Sequence, residues 1–264
     1  MQNYISYFVM KFLRVRPNPR ILFIVSLHRQ VKLNLLHYTK NTAILVFANS
    51  ARTELAHKPI PKGEGLFEAL TQETLRKVQK TGLPYFHFTE REQEGKSFGE
   101  RFTNAIQEVF RNGFDNIITI GNDTPHLKTA HLLKAHHALQ EGKTVLGPSL
   151  DGGFYLMGIH KSNFDQETFK RLPWQRFSLF NRISTLLDLT DSVLHQLPTL
   201  SDIDTFKDVK RLASFRKSIS SSVLSVLTLL LQLKKKHQTV IISILYIIFL
   251  QRPFNKGSPL LLHS

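Results

Sequence analysis

The sequence predicts an α/β chain, a three-layer α/β/α sandwich around a mixed, mainly parallel sheet, and three observations predict it. Short apolar runs rich in β-formers, at 42–48, 84–88 and 116–120, are joined through longer helical patterns, which is how a parallel sheet covered on both faces reads. Two further runs, 144–149 and 153–159, have only "LDG" between them, too few residues for a helical crossover, so they pair antiparallel. Hydrophobic residues make up 42% of the 264 positions, enough to build a core.

Each element has its own signal. "TAILVFA" (42–48) is a buried strand. In "EGLFEALTQETLRKVQKTG" (64–82), Leu66, Phe67, Leu70, Leu75 and Val78 recur near helical spacing and Gly82 stops the helix. "PYFHF" (84–88) is the second strand. Over 97–114, Ser97 is placed to cap a helix, Glu100 stands three residues on in capping-box spacing, and Gly113 closes it. "NIITI" (116–120) is the third strand, and the next helix is expected over 124–142, with Thr124 as its cap and Pro125 in its first turn. After the hairpin come helical "DQETFKRL" and "LFNRISTLLDL", a strand at 192–198, and an acidic turn, "SDIDTFKD", that opens a last helix.

Composition removes several functions. With no cysteine, disulfides, thiolate nucleophiles and Cys-based zinc sites are excluded. His126, His131, His136 and His137 share one predicted helix, but their spacings do not stack two rings at i, i+4, and no acid completes a zinc set. The net charge of +15 suggests nucleic acid until it is located. Residues 1–40 and 214–264 carry seven Lys and Arg each and no acid, so all 20 acids lie between them with the other 21 bases. The body is near neutral, and no nucleic-acid partner is expected. The domain organisation is therefore a basic N-terminal extension (1–40), a body (41–215) and a basic, apolar C-terminal extension (216–264). The apolar runs at 223–233 and 239–250 are each shorter than the roughly 20 residues that cross a bilayer as a helix. They are expected to pack on the body or on another chain, with peripheral membrane contact as an alternative.

Three turns carry acids that chemistry could use. "GND" (121–123) ends a buried strand, where ligands of open α/β sheets bind. Beside a helix start that favours anions, the Asp123 carboxylate would repel a phosphate unless a divalent cation such as Mg²⁺ lay between them. The plainer alternative is an Asx-turn or a share in the helix cap. "SLDGG" (149–153) places Asp151 before paired glycines, Gly152 and Gly153, which let the backbone approach a ligand or simply make a hairpin turn. Asp202 and Asp204 point the same way if extended, or else cap the last helix.

Taken in order, "QEGKSFGERFTNAI", "IGNDTPHL", "GPSLDGGFYLMGI", "LPWQ" and "DIDTFKD" resemble a bacterial family long filed as a domain of unknown function and now described as glycosyltransferase-like, of the arsenosugar-biosynthesis type. The resemblance runs roughly from Thr42 to Leu212. It implies the nucleotide-diphospho-sugar transferase superfamily and its GT-A fold, with more distant similarity to guanylyltransferases and molybdenum-cofactor nucleotidyltransferases. By resemblance, Asp123 binds a divalent metal, Mg or Mn, on the donor diphosphate, and Asp202 and Asp204 complete the metal site. Asp151 is the expected catalytic group. Arg52, Gly99, Glu100, Arg101, Asn122, Gly152, Gly153 and Trp174 are the expected substrate contacts.

One departure stands out. Relatives show a "Pro-x-x-Gly-x-x-Lys-Thr-Arg-Leu" run after the first strand, whereas this chain reads "FANSARTELAHKPIPKG", leaving only Arg52 and Lys58 as candidate cations. The expectation is a cytoplasmic, metal-dependent glycosyltransferase acting on a nucleotide-sugar donor and a small acceptor. The alternatives are a nucleotidyltransferase of the guanylyl type and a catalytically silent nucleotide-binding or membrane-tethering protein.

Overall fold

A computed structural model describes residues 42–58, 60–188, 193–214 and 219–232. The N-terminal extension and the apolar run at 239–250 lie outside the described residues. Six strands form one sheet: β1 (Thr42–Phe47), β2 (Tyr85–Phe88), β3 (Asn116–Ile120), β4 (Thr144–Pro148), β5 (Phe154–His160) and β6 (Leu194–Gln196), in the order β2-β1-β3-β5-β4-β6. β1 pairs parallel with β2 and β3, and β4 with β6, while β5 runs antiparallel to both of its neighbours. Five strands thus point one way and β5 alone runs back, because the turn from β4 is too short for a crossover. This is the mixed, mainly parallel sheet read from the sequence.

The helices are α1 (Ala51–His57), α2 (Glu64–Gln79), α3 (Phe98–Arg111), α4 (Thr129–Gln140), α5 (Gln166–Lys170), α6 (Leu179–Asp188) and α7 (Phe206–Ser214). Residues 221–232 form a further helix, α8. Alternate strand residues face opposite layers. Ile44, Val46, Ile118 and Ile120 pack with Val78 of α2 and Leu132, Ala135 and Leu139 of α4. Ala43, Leu45 and Ile117 pack on the other face with Phe102, Ile106 and Val109 of α3 and Ile183 of α6.

Two helices differ from expectation. α1 falls in the stretch read as an altered loop: the Ser50 side chain caps it by accepting from Thr53 N, and the Glu90 carboxylate accepts from Ser50 N (2.7 Å), Ser50 Oγ (2.6 Å) and Thr53 Oγ1 (3.0 Å). α4 begins four residues later than the Thr124 cap predicts, at Thr129 with Lys128 in the cap position. The Thr124 hydroxyl is spent on Asp202 at 2.5 Å, and Lys77 Nζ takes the Pro125 carbonyl at 3.0 Å. That carbonyl is the acceptor an uninterrupted helix would offer to Thr129 N. A tertiary contact from α2 therefore overrides the local start signal, and Asp123 is followed by a turn rather than a helix terminus.

A third cluster joins Ile60, Phe67 and Leu70 to Ile203, Val209 and Leu212, and α8 closes it with Val223, Leu227 and Leu230 at helical spacing. No described helix is long and apolar enough to cross a membrane. Leu227 is fully buried, so Leu227→Ala is expected to lower stability by about 2–5 kcal/mol, read as a shift in the urea midpoint with little change in m. A shift of less than about 1 kcal/mol would mean that α8 does not complete the core in solution.

Candidate active site

Because β1, β3, β4 and β6 run the same way, the segments leaving their carboxyl ends meet along one edge of the sheet. A cavity of about 610 Å³ opens there. Glu54 and Lys58 come from the segment after β1, Asp123 from that after β3, Asp151 from the β4–β5 hairpin, and Asp202 and Asp204 from the segment after β6; all six line the cavity. The segment after β6 is tied through the backbone to two of the others: Ile203 N donates to Asp123 O at 3.0 Å in the segment after β3, and Leu200 O accepts from Leu150 N of the hairpin at 3.1 Å.

The acids divide into two groups. Lys58 Nζ lies 2.5 Å from Asp123 Oδ2, 3.0 Å from Asp204 Oδ1 and 3.7 Å from Glu54 Oε2. Burial alone would lower the pKa of this ammonium, but Asp123, Asp204 and Glu54 reverse that and hold it above the ordinary lysine range. Burial raises the pKa of Glu54, with Lys58 opposing. Asp202 belongs to the second group, facing Thr124 rather than Lys58. Its burial, with the Asp123 carboxylate adding to the effect, pushes its pKa up to about 7 against the opposing hydrogen bond from Thr124. Asp151 is exposed and lines the cavity, and its Oδ1 accepts from Ser149 Oγ (2.7 Å) and Gly153 N (3.0 Å), an Asx-type turn that holds one of its two oxygens.

Another part of the lining is aromatic. Trp174 packs at 5.0 Å from Phe102, 5.7 Å from Phe98 and 6.0 Å from Phe154, and its indole N–H donates to Phe169 O at 2.7 Å. Gly99 makes room for it, since a Cβ there would fall 2.5 Å from Trp174 Cδ1.

Of the residues the sequence singled out, Asp123, Asp151, Asp202, Asp204, Asn122, Arg101, Gly153 and Trp174 line this cavity. Asn122 is buried and donates to Thr71 Oγ1 at 2.8 Å. The others stand outside the lining. Arg52 is exposed on α1, Gly99 lies behind Trp174, and Gly152 shapes the hairpin with φ +86°. The Glu100 carboxylate accepts from Lys96 N at 2.7 Å while Glu100 N donates to the Ser97 cap. Tyr155, Ser149 and Glu54 were missed. Glu54 and Lys58 stand at i, i+4 in "ELAHK", so their pairing could have been read from spacing once α1 was recognised.

The three acids expected to hold a metal have other partners in this arrangement. Asp123, Asp202 and Asp204 do not converge on one point: an ammonium already bridges Asp123 and Asp204, and Asp202 is turned to Thr124. Among the described residues, no group of three His, Asp or Glu side chains could hold a metal ion. In this arrangement the residues do not fit a divalent cation.

Residues 66–176 match the profile of DUF2064, described as an uncharacterized protein conserved in bacteria. Four of the five motifs quoted above fall inside it. Among curated proteins, none matches the chain. In three dimensions it is similar to a protein from Desulfovibrio desulfuricans G20 assigned as a nucleotide-diphospho-sugar transferase. The TM-score is 0.63 and the identity 22%, over 73% of this chain and 97% of that one, and the likeness establishes the fold. Two others are more remote. Rv0371c from Mycobacterium tuberculosis H37Rv, in a complex with manganese, gives 0.40 and 14% over 65% of this chain and 97% of its own. A cytidylyltransferase from Leptospira borgpetersenii serovar Hardjo-bovis gives 0.39 and 16% over 76% and 96%. Neither is close enough in shape to bear on the site.

The raised pKa of Asp202 has a sign that can be measured. Its folded value, about 7, lies above its ordinary 3.8, so the folded chain holds the proton more tightly. The contribution is fully present below pH 3.8 and is lost as the pH rises through about 7. Asp202→Asn mimics the protonated form and keeps an acceptor for Thr124. It is expected to match the wild type near pH 4 and to be more stable by roughly 1–3 kcal/mol at pH 8, by urea unfolding at both values. An equal difference at the two pH values would show that Asp202 ionises normally.

Proposed function

We infer that the protein is a transferase that binds a nucleotide-sugar in the cavity at the sheet edge and passes the sugar to a small acceptor. The observation that carries this is the joint placement of an aromatic wall, two cations and an exposed carboxylate around one cavity of about 610 Å³, a size that takes a ligand of this class. Phe98 and Trp174 offer apolar surface to a base or sugar ring. Lys58 and Arg101 offer positive charge to a diphosphate leaving group, where negative charge grows as the glycosidic bond breaks. Asp151, fixed through one oxygen, orients the acceptor hydroxyl and takes its proton with the other.

Nucleotidyl transfer is the less favoured reading. Attack on the α-phosphorus needs donors and cations around that phosphate. Here the start of α1 spends Ser50 N, Ser50 Oγ and Thr53 Oγ1 on the chain's own Glu90, and Arg52 stands outside the cavity.

Asp151→Asn keeps the acceptor oxygen that holds the turn and removes the base. It is expected to reduce kcat by about 10²-fold or more with donor affinity within a fewfold of the wild type. The assay is release of nucleoside diphosphate from UDP-, GDP-, CDP- and TDP-sugars in the presence of an acceptor extract. Pyrophosphate released from a nucleoside triphosphate, with no nucleoside diphosphate from any sugar donor, would reverse the choice between the two chemistries.

A further inference from the structure

Lys58 is held in place from both ends. Its backbone N–H donates to Glu54 O at 2.8 Å and closes α1, and its carbonyl accepts from Ile60 N at 2.7 Å. Its ammonium lies 6.0 Å from the centroid of the Phe67 ring. Only 16% of the side chain is exposed, so this is a built-in cation rather than a surface lysine folded over a cleft.

We propose that the Lys58 ammonium takes the place of a divalent cation in this site and keeps such a cation out. Mg²⁺ binds carboxylate oxygens at roughly 2.0–2.1 Å and demands near-octahedral geometry. An ion bridging Asp123 Oδ2 and Asp204 Oδ1 would overlap the nitrogen that already lies 2.5 Å and 3.0 Å from those oxygens. To admit it, the ammonium would have to give up both contacts and withdraw along a stem anchored at the end of α1. Asp202, the acid that could raise the ligand count, is engaged by the Thr124 hydroxyl and makes no ion pair with Lys58. Arg101 lines the same cavity without a salt bridge to any described carboxylate, so the pair supplies two positive charges from the chain itself. The stretch "ELAHK" accounts for the exchange: one helical turn brings Glu54 and Lys58 together, and the loop that follows carries the ammonium to Asp123 and Asp204.

The seat of the cation does not depend on what the cavity binds; only the use of Lys58 toward a diphosphate rests on the transferase reading. The test is Mn²⁺ binding to the full chain, followed by the paramagnetic resonance signal of the free ion. Wild type is expected to leave the signal undepleted. Lys58→Met keeps the stem and removes the charge, and it should gain one Mn²⁺ per chain, roughly tenfold or more tighter than wild type, a gain lost again in Lys58→Met/Asp123→Asn. Tight binding of one Mn²⁺ to the wild type, abolished by Asp123→Asn, overturns the proposal even if Lys58→Met fails to fold. Calorimetry with UDP and GDP, in EDTA and then in Mn²⁺, decides the functional part. Equal affinity in both supports Lys58 as the working cation, and binding seen only with Mn²⁺ overturns it. Failure of both nucleotides to bind under either condition counts against the transferase reading and leaves the Mn²⁺ result to stand on its own.

Discussion

Three carboxylates crowd one end of this sheet because one ammonium holds them there. Glu54, Asp123 and Asp204 come from segments that follow three different strands, and their common partner is Lys58 Nζ. Like charges brought this close and half-buried would raise one another's pKa values or push the loops apart. With Lys58 between them, the segments after β1, β3 and β6 are drawn into one rim. The backbone bond from Ile203 to Asp123 then fixes how Asp202 and Asp204 straddle that rim, with Asp204 on the lysine and Asp202 on Thr124. The two acids two residues apart consequently do different things, where a regular strand would have sent both to one side; residues 201–204 are not a strand, and that frees the two side chains to part.

The reversed strand sets the other half of the site. β5 runs against the rest of the sheet, so the β4–β5 turn falls at the same edge as the other functional segments and brings Asp151 there. A parallel crossover would have left the start of β5 at the far edge. The hairpin tip is held by Ser149, Asp151 and Gly153 among themselves, and its Gly152 adopts a φ of +86° with the Phe177 carbonyl pressed against it. The Phe177 segment that braces the hairpin follows Trp174, so the acid wall and the aromatic wall are mechanically linked.

Much of this was legible in the sequence. Strand periodicity gave all six strands to within a few residues, and the three-residue gap before β5 was enough to require an antiparallel step. The four aspartates of the site, though not Glu54, were also visible, because Asp after an apolar strand and Asp-Gly-Gly in a tight turn are local signals. What could not be read is which acid faces which cation. Lys58 meets Asp123 across 65 residues and Thr124 meets Asp202 across 78, and no window of the sequence contains either pair. The start of α4 was misread for the same reason: Thr124 and Pro125 are good first-turn residues, but Asp202 and Lys77 claim the groups a helix would have used. Lys58 as the partner of Asp123 and Asp204 was hidden at this level too, since both acids could be read and their counter-ion could not.

The balance of charge around the cavity constrains how any anionic ligand sits in it. Glu54, Asp123, Asp151, Asp202 and Asp204 face Lys58 and Arg101, so the lining is acidic in sum, and an anion placed at random would be repelled. Two features reduce the surplus near neutrality. Asp202 keeps its proton up to about pH 7, and Asp123 and Asp204 share the charge of Lys58. A diphosphate is then favoured only beside one of the two cations, Arg101 or Lys58. The neutral ring of a sugar and an acceptor carrying hydroxyl or amino groups are favoured toward Asp151. Within the transferase reading, the same electrostatics that exclude phosphate from most of the cavity thus orient the ligand, with its leaving group on the cations and its reacting carbon toward the exposed carboxylate.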